Sequence, residues 1–480
     1  MTTRRLFEAL FAIALLVIAV RHTTDPDLWW HLRTGEYILA NGIPRTDVFS
    51  FTVPDHRWVT HEWLTQVFMW LVFQAGGLTA LMLVFALITA LAFWLVYRRC
   101  SGRPYLAAFV VLLAAFAAAI TWGARPQMFN LLLLGLFLSI VEGVRGGVLS
   151  ERAFWWLPPL TALWANLHSG YLLGVVLLAV YVVGESVPRW QAGGPALSRA
   201  AWRRLLLVTP LSFLAAVLNP NGYHLWIYPF ETLGSGAMQS YIVEWRPPDL
   251  HVPIFWPFAA LLALGVLALI LSPRRPELTD LLLFGGTAGA GLLSARHIPL
   301  FALAAAPIVC RYLEASLAST RLRGLVKPPP AAKTARALTL LNVLLLIVAL
   351  GAGLFWIAAR IAENDEAIED DFPVAAVDYL VSAGLDDARG YNSYEWGGYL
   401  IWRGFPVYID GRADVYGDAF MHAYRRAYDA RSDWRASLDD FAVQYVLLQE
   451  DSPLATVLEE SGEWERTYKD SLAVVYERVE

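Results

Sequence analysis

Residues 25–39 read DPDLWWHLRTGEYIL, and they follow an apolar run over residues 6–20. Two arginines precede that run and no small-x-small cleavage site follows it, so we interpret it as a retained signal anchor and first membrane span. Asp25 and Pro26 are typical of a helix start, and the tryptophans suit the boundary between membrane and water. The stretch therefore predicts a helix that lies along the membrane surface just after the first span.

The chain consists of two regions that differ in composition and charge. Of the 480 residues, 57% are hydrophobic and 16% are charged, against about 45–50% and about 25% in a soluble domain. Residues 1–360 carry 27 Lys and Arg and 16 Asp and Glu, whereas residues 361–480 carry 10 and 26. We predict a basic membrane domain over 1–360 and a water-soluble domain over 361–480, which excludes an ordinary soluble enzyme. So acidic a tail also argues against nucleic acid as a partner.

Eleven apolar runs are long enough, or nearly long enough, to cross a membrane. They lie near residues 6–20, 76–97, 104–121, 126–142, 153–167, 170–187, 202–218, 253–271, 278–294, 297–314 and 336–359. Nineteen of the 27 basic residues of the membrane domain fall in the connections that this count assigns to the cytoplasm, as the positive-inside rule expects. We therefore predict a multi-pass protein of the inner (plasma) membrane, with a cytoplasmic N-terminus and an extracytoplasmic tail.

Residues 21–75 form the predicted first external loop, which is far longer than a simple connection. Besides the helix at 25–39, the loop contains a second apolar, tryptophan-rich stretch that begins at His61 and Glu62 and ends at Gly76-Gly77. We predict two amphipathic helices on the outer membrane surface.

Few polar residues occur at the predicted outer ends of the spans. They are Arg125, Asn166, His168, Asn219, Asn221, Arg296 and His297. Ionisable groups near membrane depth are costly and usually functional, so we expect Arg125, Arg296, His168 and His297 to bind a phosphate. We assign His61, Glu62, Asn219 and Asn221 to the acceptor side or to the loop itself. The alternative is that the arginines snorkel to lipid headgroups and that the other residues cap helix ends.

The two carboxylates of the Asp25-Pro-Asp27 motif allow three interpretations. They could be an N-cap and its neighbour, which is a common use of Asp. One could be a general base, because deprotonating an attacking hydroxyl needs a positioned acceptor. Together they could bind a divalent cation such as Mg²⁺ or Mn²⁺. Spacing alone leaves all three open.

The whole arrangement resembles the GT-C class of membrane glycosyltransferases: one span, a long external loop with an acidic motif and surface helices, a multi-span bundle and an external tail. The class includes protein O-mannosyltransferases, oligosaccharyltransferases and the aminoarabinose transferases of lipid A. Residues 26–30, Pro-Asp-Leu-Trp-Trp, are similar to the class motif, in which an Asp precedes an acidic residue and aromatics; Leu28 replaces that acidic residue here. The chain also resembles a group of bacterial membrane proteins with the same 25–31 opening and with Trp-Gly-Gly-Tyr-Leu and Asp-Gly-Arg in the tail.

This resemblance implies a polytopic α-helical bundle of about 11 spans, with surface helices in the first external loop. It implies an inverting hexosyl- or pentosyltransferase of the cell envelope. The donor would be a polyprenyl-phosphate-linked sugar, and the acceptor a glycan, lipid or protein on the external face. Asp27 becomes the expected general base, beside Asp25, while the cations near the span ends stabilise the leaving phosphate. The competing classes are a transporter, which should show an internal repeat and mid-span charges, and a non-catalytic scaffold for envelope polysaccharide assembly.

Helical and strand patterns alternate in the tail, which predicts a small α/β domain. Helices are expected over 373–383, 416–429 and 454–459, and strands over 407–409, 443–448 and 472–479. The aromatic segment 391–402 suits sugar stacking, but packing onto the membrane domain is the favoured interpretation. Asp410, Arg412 and Asp414 could form a site, although an ion pair on a turn is the more ordinary explanation.

Overall fold

The computed structural model describes residues 1–187, 196–321, 324, 326 and 336–479. The helices before residue 336 are α1 Thr3–Ala19, α2 Pro26–Asn41, α3 Trp63–Arg99, α4 Pro104–Ala118, α5 Gln127–Arg145, α6 Leu157–Leu167, α7 Tyr171–Glu185, α8 Arg199–Ala215, α9 His224–Gly234, α10 Gly236–Tyr241, α11 Trp256–Leu271, α12 Leu278–Leu293 and α13 Ile298–Ala318. The later ones are α14 Arg336–Ala362, α15 Asn364–Asp371, α16 Val374–Ser382, α17 Gly397–Arg403, α18 Ala413–Tyr428, α19 Trp434–Asp439 and α20 Pro453–Ser461.

Each of the eleven predicted spans coincides with a helix. Seven helical segments of the described residues are long and apolar enough to cross a membrane; they are Trp63–Arg99, Pro104–Thr121, Gln127–Arg145, Arg199–Leu218, Pro253–Leu271, Ala295–Ala318 and Arg336–Asp371. Two apolar helices, α7 and α12, are shorter. The count of eleven therefore stays a prediction. Four basic residues behind the predicted orientation, Arg189, Arg323, Lys327 and Lys333, lie outside the described residues.

The two predicted loop helices have different ends. Asp25 caps α2, and Gly42, with φ of 86°, ends it by donating its N–H to the Ile38 carbonyl. The second helix ends at the glycine pair, as predicted, because Gly76 and Gly77 have non-helical backbone angles inside α3. Gly77 has φ of 62°, which a residue with a side chain rarely adopts. The surface helix and the span that follows to Arg99 are thus two helices separated by a kink.

The tail contains the expected mixture of helices and strands. Its four strands are β1 Gly390–Asn392, β2 Tyr445–Gln449, β3 Trp464–Lys469 and β4 Ala473–Arg478, in the order β1-β2-β4-β3. Strand β1 pairs with β2 in parallel, and the other two pairings are antiparallel. The strand expected over 407–409 is reduced to isolated bridges of Val407 with Ser50 and Gly390, because it crosses between the loop and the tail. Strands β1 and β3 were not predicted.

Two hydrophobic cores meet at α2. The first core lies among the apolar helices, and the second fills the tail but also takes in Trp29, Trp30 and Trp58 of the first loop. The Trp29 ring packs against Tyr399, with centroids 5.2 Å apart, at a steep angle that suits aromatic pairs. The aromatic segment 391–402 thus packs onto the start of α2, as favoured from the sequence. The predicted domain boundary at residue 360 falls within α14 and stays a prediction.

Candidate active site

The N-terminus of α2 holds both carboxylates of the acidic motif. Asp25 Oδ1 accepts a hydrogen bond of 2.9 Å from the Asp27 N–H, so Asp25 is the N-cap that the sequence predicts. Asp27 lies in the first turn, where its Oδ1 accepts a bond of 2.9 Å from Trp30 Nε1. The other oxygen of each carboxylate points at the same guanidinium, that of Arg125.

Arg125 lies in the turn before α5 and contacts three carboxylates. Its Nε lies 2.7 Å from Asp25 Oδ2, its Nη2 donates to Asp27 Oδ2 at 3.3 Å, and its Nη1 donates to Glu244 Oε1 at 2.7 Å. One cation therefore balances three anions. The sequence predicts that Arg125 binds a donor phosphate. In the structure its guanidinium contacts three carboxylates, so the phosphate-binding role stays a prediction.

The three carboxylates that share the Arg125 guanidinium differ in pKa. Burial and the Asp25 carboxylate raise the pKa of Asp27 to about 7, although Arg125 opposes the shift. Burial also raises the pKa of Asp25, again against Arg125. Glu244 is buried as well, but Arg125 lowers its pKa. Asp27 is therefore a carboxylate that titrates near neutral pH and faces a cavity.

A divalent cation fits this arrangement poorly. Each of the four oxygens of Asp25 and Asp27 already faces an N–H group, and the Arg125 guanidinium occupies the place of a counter-ion. Within the described residues, no group of three or more His, Cys, Asp or Glu side chains could hold a metal ion. A cation shared by Asp25 and Asp27 remains a prediction from the sequence, and no step below uses one.

A second charged cluster surrounds Glu62, just before α3. Glu62 Oε1 lies 3.2 Å from His61 Nε2 and 3.1 Å from His168 Nε2, while Oε2 lies 3.6 Å from His31 Nε2. Burial alone would raise the pKa of Glu62, but His61 and His168 lower it well below its usual range. Glu62 thus stays ionised in the protein interior because imidazoles surround it.

The histidines of this cluster differ in protonation. His168 Nδ1 accepts bonds from the Gly170 N–H and the Asn130 side chain, each 2.9 Å long, which leaves the ring proton on Nε2. Burial lowers the pKa of His168 to about 3, so this ring is neutral. His61 Nδ1 lies 3.1 Å from the Val59 carbonyl. Despite burial, the Glu62 carboxylate raises the pKa of His61, which makes His61 the cation of the cluster.

Arg296 and His297 lie in a short 3₁₀ turn before α13. The Arg296 guanidinium lies over the Trp245 ring, 4.9 Å from its centroid, which is a favourable cation–π distance. Ser294 Oγ donates to the Glu244 carbonyl at 3.0 Å, so this turn is tied to the loop that carries Glu244 and Trp245. No carboxylate of the described residues forms an ion pair with Arg296.

One cavity of about 830 Å³ joins these groups. Eight of the ten predicted site residues line it, namely Asp25, Asp27, His61, Glu62, Arg125, His168, Arg296 and His297. Apolar side chains continue the lining one or two turns into α5, α7 and α13; they are Leu131, Leu134, Leu172, Leu173, Val176 and Leu300. The cavity thus extends from charged helix ends into an apolar interior.

Asn219 and Asn221, assigned from the sequence to the acceptor side or to the loop, are not part of this lining. Asn219 Nδ2 donates to the Ala165 carbonyl at 2.9 Å, and its Oδ1 accepts the Asn221 N–H at 2.8 Å. Asn221 Oδ1 accepts a bond of 3.0 Å from Arg45. Both amides are used to fasten loops together.

Sequence reasoning missed part of the lining. His31, Glu244, Tyr394, Glu395 and Asp414 also face the cavity. Glu244 had a signal, since it is an acidic residue next to a tryptophan in a predicted external connection. The sequence offers Asp414 as part of a possible site and favours packing of the aromatic segment onto the membrane domain, but nothing in it places either of them beside Asp27.

Solved structures with a similar fold are membrane glycosyltransferases. The oligosaccharyltransferase AglB of Archaeoglobus fulgidus, in complex with an inhibitory peptide and a dolichol-phosphate, matches 93% of this chain and 69% of its own, with 12% identity and a TM-score of 0.57. ArnT of Cupriavidus metallidurans, in the apo state, matches 99% of this chain and 98% of its own, with 16% identity and a TM-score of 0.52. Neither a protein-family model nor a curated protein sequence matches the chain. The chain thus has the polytopic GT-C fold expected from its sequence.

Proposed function

We propose that this chain is a membrane glycosyltransferase that moves a sugar from a polyprenyl-phosphate-linked donor to an acceptor at the extracytoplasmic face. The observation that carries the proposal is the Asp27 carboxylate, which faces a cavity with a charged mouth and an apolar interior. The fold shared with AglB and ArnT supports the same class of reaction. AglB was solved with a dolichol-phosphate and a peptide, which supports a lipid-linked donor and a separate acceptor here.

Asp27 is the proposed general base. It takes the proton of an acceptor hydroxyl or amide while the acceptor atom forms a bond to the anomeric carbon of the sugar. The bond from that carbon to the phosphate oxygen breaks, and the polyprenyl phosphate leaves with the electron pair. Attack opposite the leaving group inverts the anomeric centre of a hexose or pentose. A base works best when its pKa is near the working pH, and Asp27 at about 7 meets that condition.

Arg296 is the proposed cation for the leaving phosphate. It faces the cavity without a carboxylate partner in the described chain, whereas the guanidinium of Arg125 is shared by three carboxylates. A fixed cation at the leaving oxygen stabilises the charge that develops in the transition state. His297 lines the cavity next to Arg296 and is the second candidate. The apolar interior suits the isoprenoid chain of the donor.

The acceptor has a separate approach in this proposal. A second cavity, of about 540 Å³, shares six lining residues with the first, namely Tyr228, Phe230, Thr232, Met238, Ala413 and Asp414. The exposed side chains of Arg57 and Glu231 contribute to its lining. A cavity with charged, exposed side chains beside the tail suits an acceptor that arrives from water, while membrane lipids and the lipid-linked donor approach from the apolar side.

A transporter would place ionisable residues in mid-span. Most members of the Arg145 cluster of buried charges lie at or near helix ends instead, although Arg311 of this cluster lies within α13. Arg145 ends α5, its Nε lies 2.8 Å from Glu185 Oε1 at the end of α7, and it also contacts Glu277 just before α12. This favours the glycosyltransferase over a transporter. A non-catalytic scaffold is separated from it by the experiment below.

The test uses the purified chain in lipid vesicles with panels of polyprenyl-phosphate-linked sugars and of candidate glycan, lipid and peptide acceptors, and it measures release of free polyprenyl phosphate. We expect release with the wild type and none above background with Asp27→Asn, while Glu366→Gln, on the exposed side of α15, matches the wild type. A scaffold or a transporter would release no polyprenyl phosphate, with or without the Asp27 carboxylate. Absence of release from the wild type would therefore reject the proposal.

A further inference from the structure

The Asp410-Gly411-Arg412 turn of the tail touches the first turn of α2. A methyl group added at Gly411 would lie 1.9 Å from Asp27 Oδ1 and 3.3 Å from Trp30 Nε1. The backbone of Gly411 lies outside the left-handed region, so space and not conformation demands glycine here. The tail therefore forms one wall of the compartment that holds the Asp27 carboxylate.

This wall is rigid because Arg412 fastens the turn. Arg412 is buried, and it donates from Nε to Asp410 Oδ1 at 2.7 Å and from Nη1 to Asp47 Oδ1 at 2.6 Å. The Tyr416 hydroxyl donates to the second oxygen of Asp410 at 2.6 Å. Trp58 of the first loop covers the guanidinium, 4.6 Å from the ring centroid. A buried pair with all its hydrogen bonds made defines one geometry of the turn.

Two further contacts align the turn with α2. The Tyr394 hydroxyl donates to the Gly411 carbonyl at 3.1 Å. At the start of α17, a methyl group on Gly398 would lie 2.3 Å from the Pro26 carbonyl oxygen. The tail therefore approaches α2 closely at Pro26 and again at Asp27, and a glycine permits each approach.

We propose that the tail is a positioning element for the Asp27 carboxylate, with Gly411 as the residue that sets its place. Asp27 Oδ1 lies against the Gly411 backbone and accepts a bond from Trp30 Nε1, while Oδ2 accepts one from the Arg125 guanidinium, so each oxygen has a defined neighbour. A base held in one orientation contributes more to a reaction than a free one. The catalytic benefit of this positioning rests on the proposed function, but the contact between the Gly411 turn and Asp27 can be tested without any reaction.

The experiment follows the Trp30 indole N–H signal by NMR in the full-length chain labelled with ¹⁵N-tryptophan, assigned through Trp30→Phe. In Gly411→Ala, the added methyl pushes Asp27 away from Trp30. We expect the signal to move to its position in Asp27→Ala and its hydrogen exchange to speed up roughly tenfold, as for a lost hydrogen bond. Gly236→Ala is the matched control, because Gly236 also contacts the tail and its methyl would lie 3.6 Å from Asp418 Oδ2, an ordinary van der Waals distance. That control should leave the Trp30 signal unchanged.

Tyr394→Phe decides the question if Gly411→Ala does not fold. It keeps the ring and removes only the bond to the Gly411 carbonyl, so we expect a smaller shift of the Trp30 signal in the same direction. An unchanged signal in the folded variants overturns the proposal, as does an equal shift in Gly236→Ala. Because no sugar is transferred in this measurement, its failure is distinct from failure of the proposed glycosyltransferase.

Discussion

The Arg296 guanidinium lies over the Trp245 ring, 4.9 Å from its centroid, and lines the cavity without an ion pair to a carboxylate of the described residues. Arg125 lines the same cavity, but its guanidinium contacts Asp25, Asp27 and Glu244. From the sequence the two arginines look equivalent. In the structure Arg125 is the centre of a carboxylate cluster, whereas Arg296 lies against an aromatic ring.

Arg296→Gln should weaken binding of polyprenyl phosphate. A charge-assisted hydrogen bond contributes about 1.5–3 kcal/mol, so the dissociation constant should rise about 10- to 150-fold. Binding is measured by titrating the lipid into the purified protein. Arg275→Gln, an exposed arginine before α12, is the control. Unchanged binding in Arg296→Gln would remove the phosphate from this end of the cavity.

Arg125→Gln should act mainly on stability. It leaves three partly buried carboxylates without their shared cation; breaking a fully buried ion pair costs about 3–5 kcal/mol, and solvent access to Asp27 and Glu244 lowers the cost here. Thermal unfolding in detergent should show a clear fall in the midpoint temperature of Arg125→Gln. The midpoint of Arg125→Lys should lie between those of Arg125→Gln and the wild type. A variant that is as stable as the wild type but fails to bind polyprenyl phosphate would return Arg125 to the phosphate site.

Asp27→Asn should abolish sugar transfer, since an amide has the shape of the base without its proton affinity. Asp25→Asn should retain much of the activity, because Asn caps a helix nearly as well as Asp. Donor binding and expression should stay near normal in both variants. Equal loss of activity in the two variants, reversed by added Mg²⁺ or Mn²⁺, would instead favour a metal shared by the two residues.

The rate of transfer should rise with pH through neutrality. Because the pKa of Asp27 is raised to about 7, the deprotonated fraction grows about fivefold between pH 6 and 7 and less than about twofold from pH 7 to 8. The sign for stability is opposite: the protonated form is favoured in the folded state, so its contribution is lost as pH rises through about 7. A rate profile that is flat from pH 5.5 to 8 would contradict Asp27 as the base.

The tail should lie outside the cell membrane. A reporter that is active only in the extracytoplasmic space should be active when fused after Arg478 and inactive when placed after Lys327. The physical reason is the alternation of basic connections that the positive-inside rule describes. If both fusions report the cytoplasm, the eleven-span count and the extracytoplasmic active site are both wrong.

Local rules predicted the local parts of the site well. The Asp25 cap and the glycine pair at 76–77 depend on neighbours in the chain, and both features are present. The glycine pair separates the surface helix from the next span, since both glycines have non-helical backbone angles. An asparagine that fastens a loop and one that binds a ligand share one sequence signal, so the sequence leaves both roles open for Asn219 and Asn221.

The partners that define the site are distant in sequence. Glu244 lies 119 residues from Arg125, and Asp47 lies 365 residues from Arg412. No periodicity or spacing connects such pairs, because they meet only after the helices and the tail have packed. The raised pKa of Asp27 has the same origin: a charge in a helix first turn is favoured by the helix dipole, but burial beside a second carboxylate has the larger effect.

The buried Arg412–Asp47 pair has a consequence for biosynthesis. Asp47 is made early, while Arg412 is made only after more than three quarters of the chain. Until the tail has been synthesised and has reached α2, the Asp47 carboxylate lacks its partner and the Asp27 compartment lacks a wall. A nascent or truncated chain therefore carries every residue of the first loop and still lacks one wall of the compartment around Asp27. The compartment around Asp27 is therefore completed only when the tail has folded against the first loop.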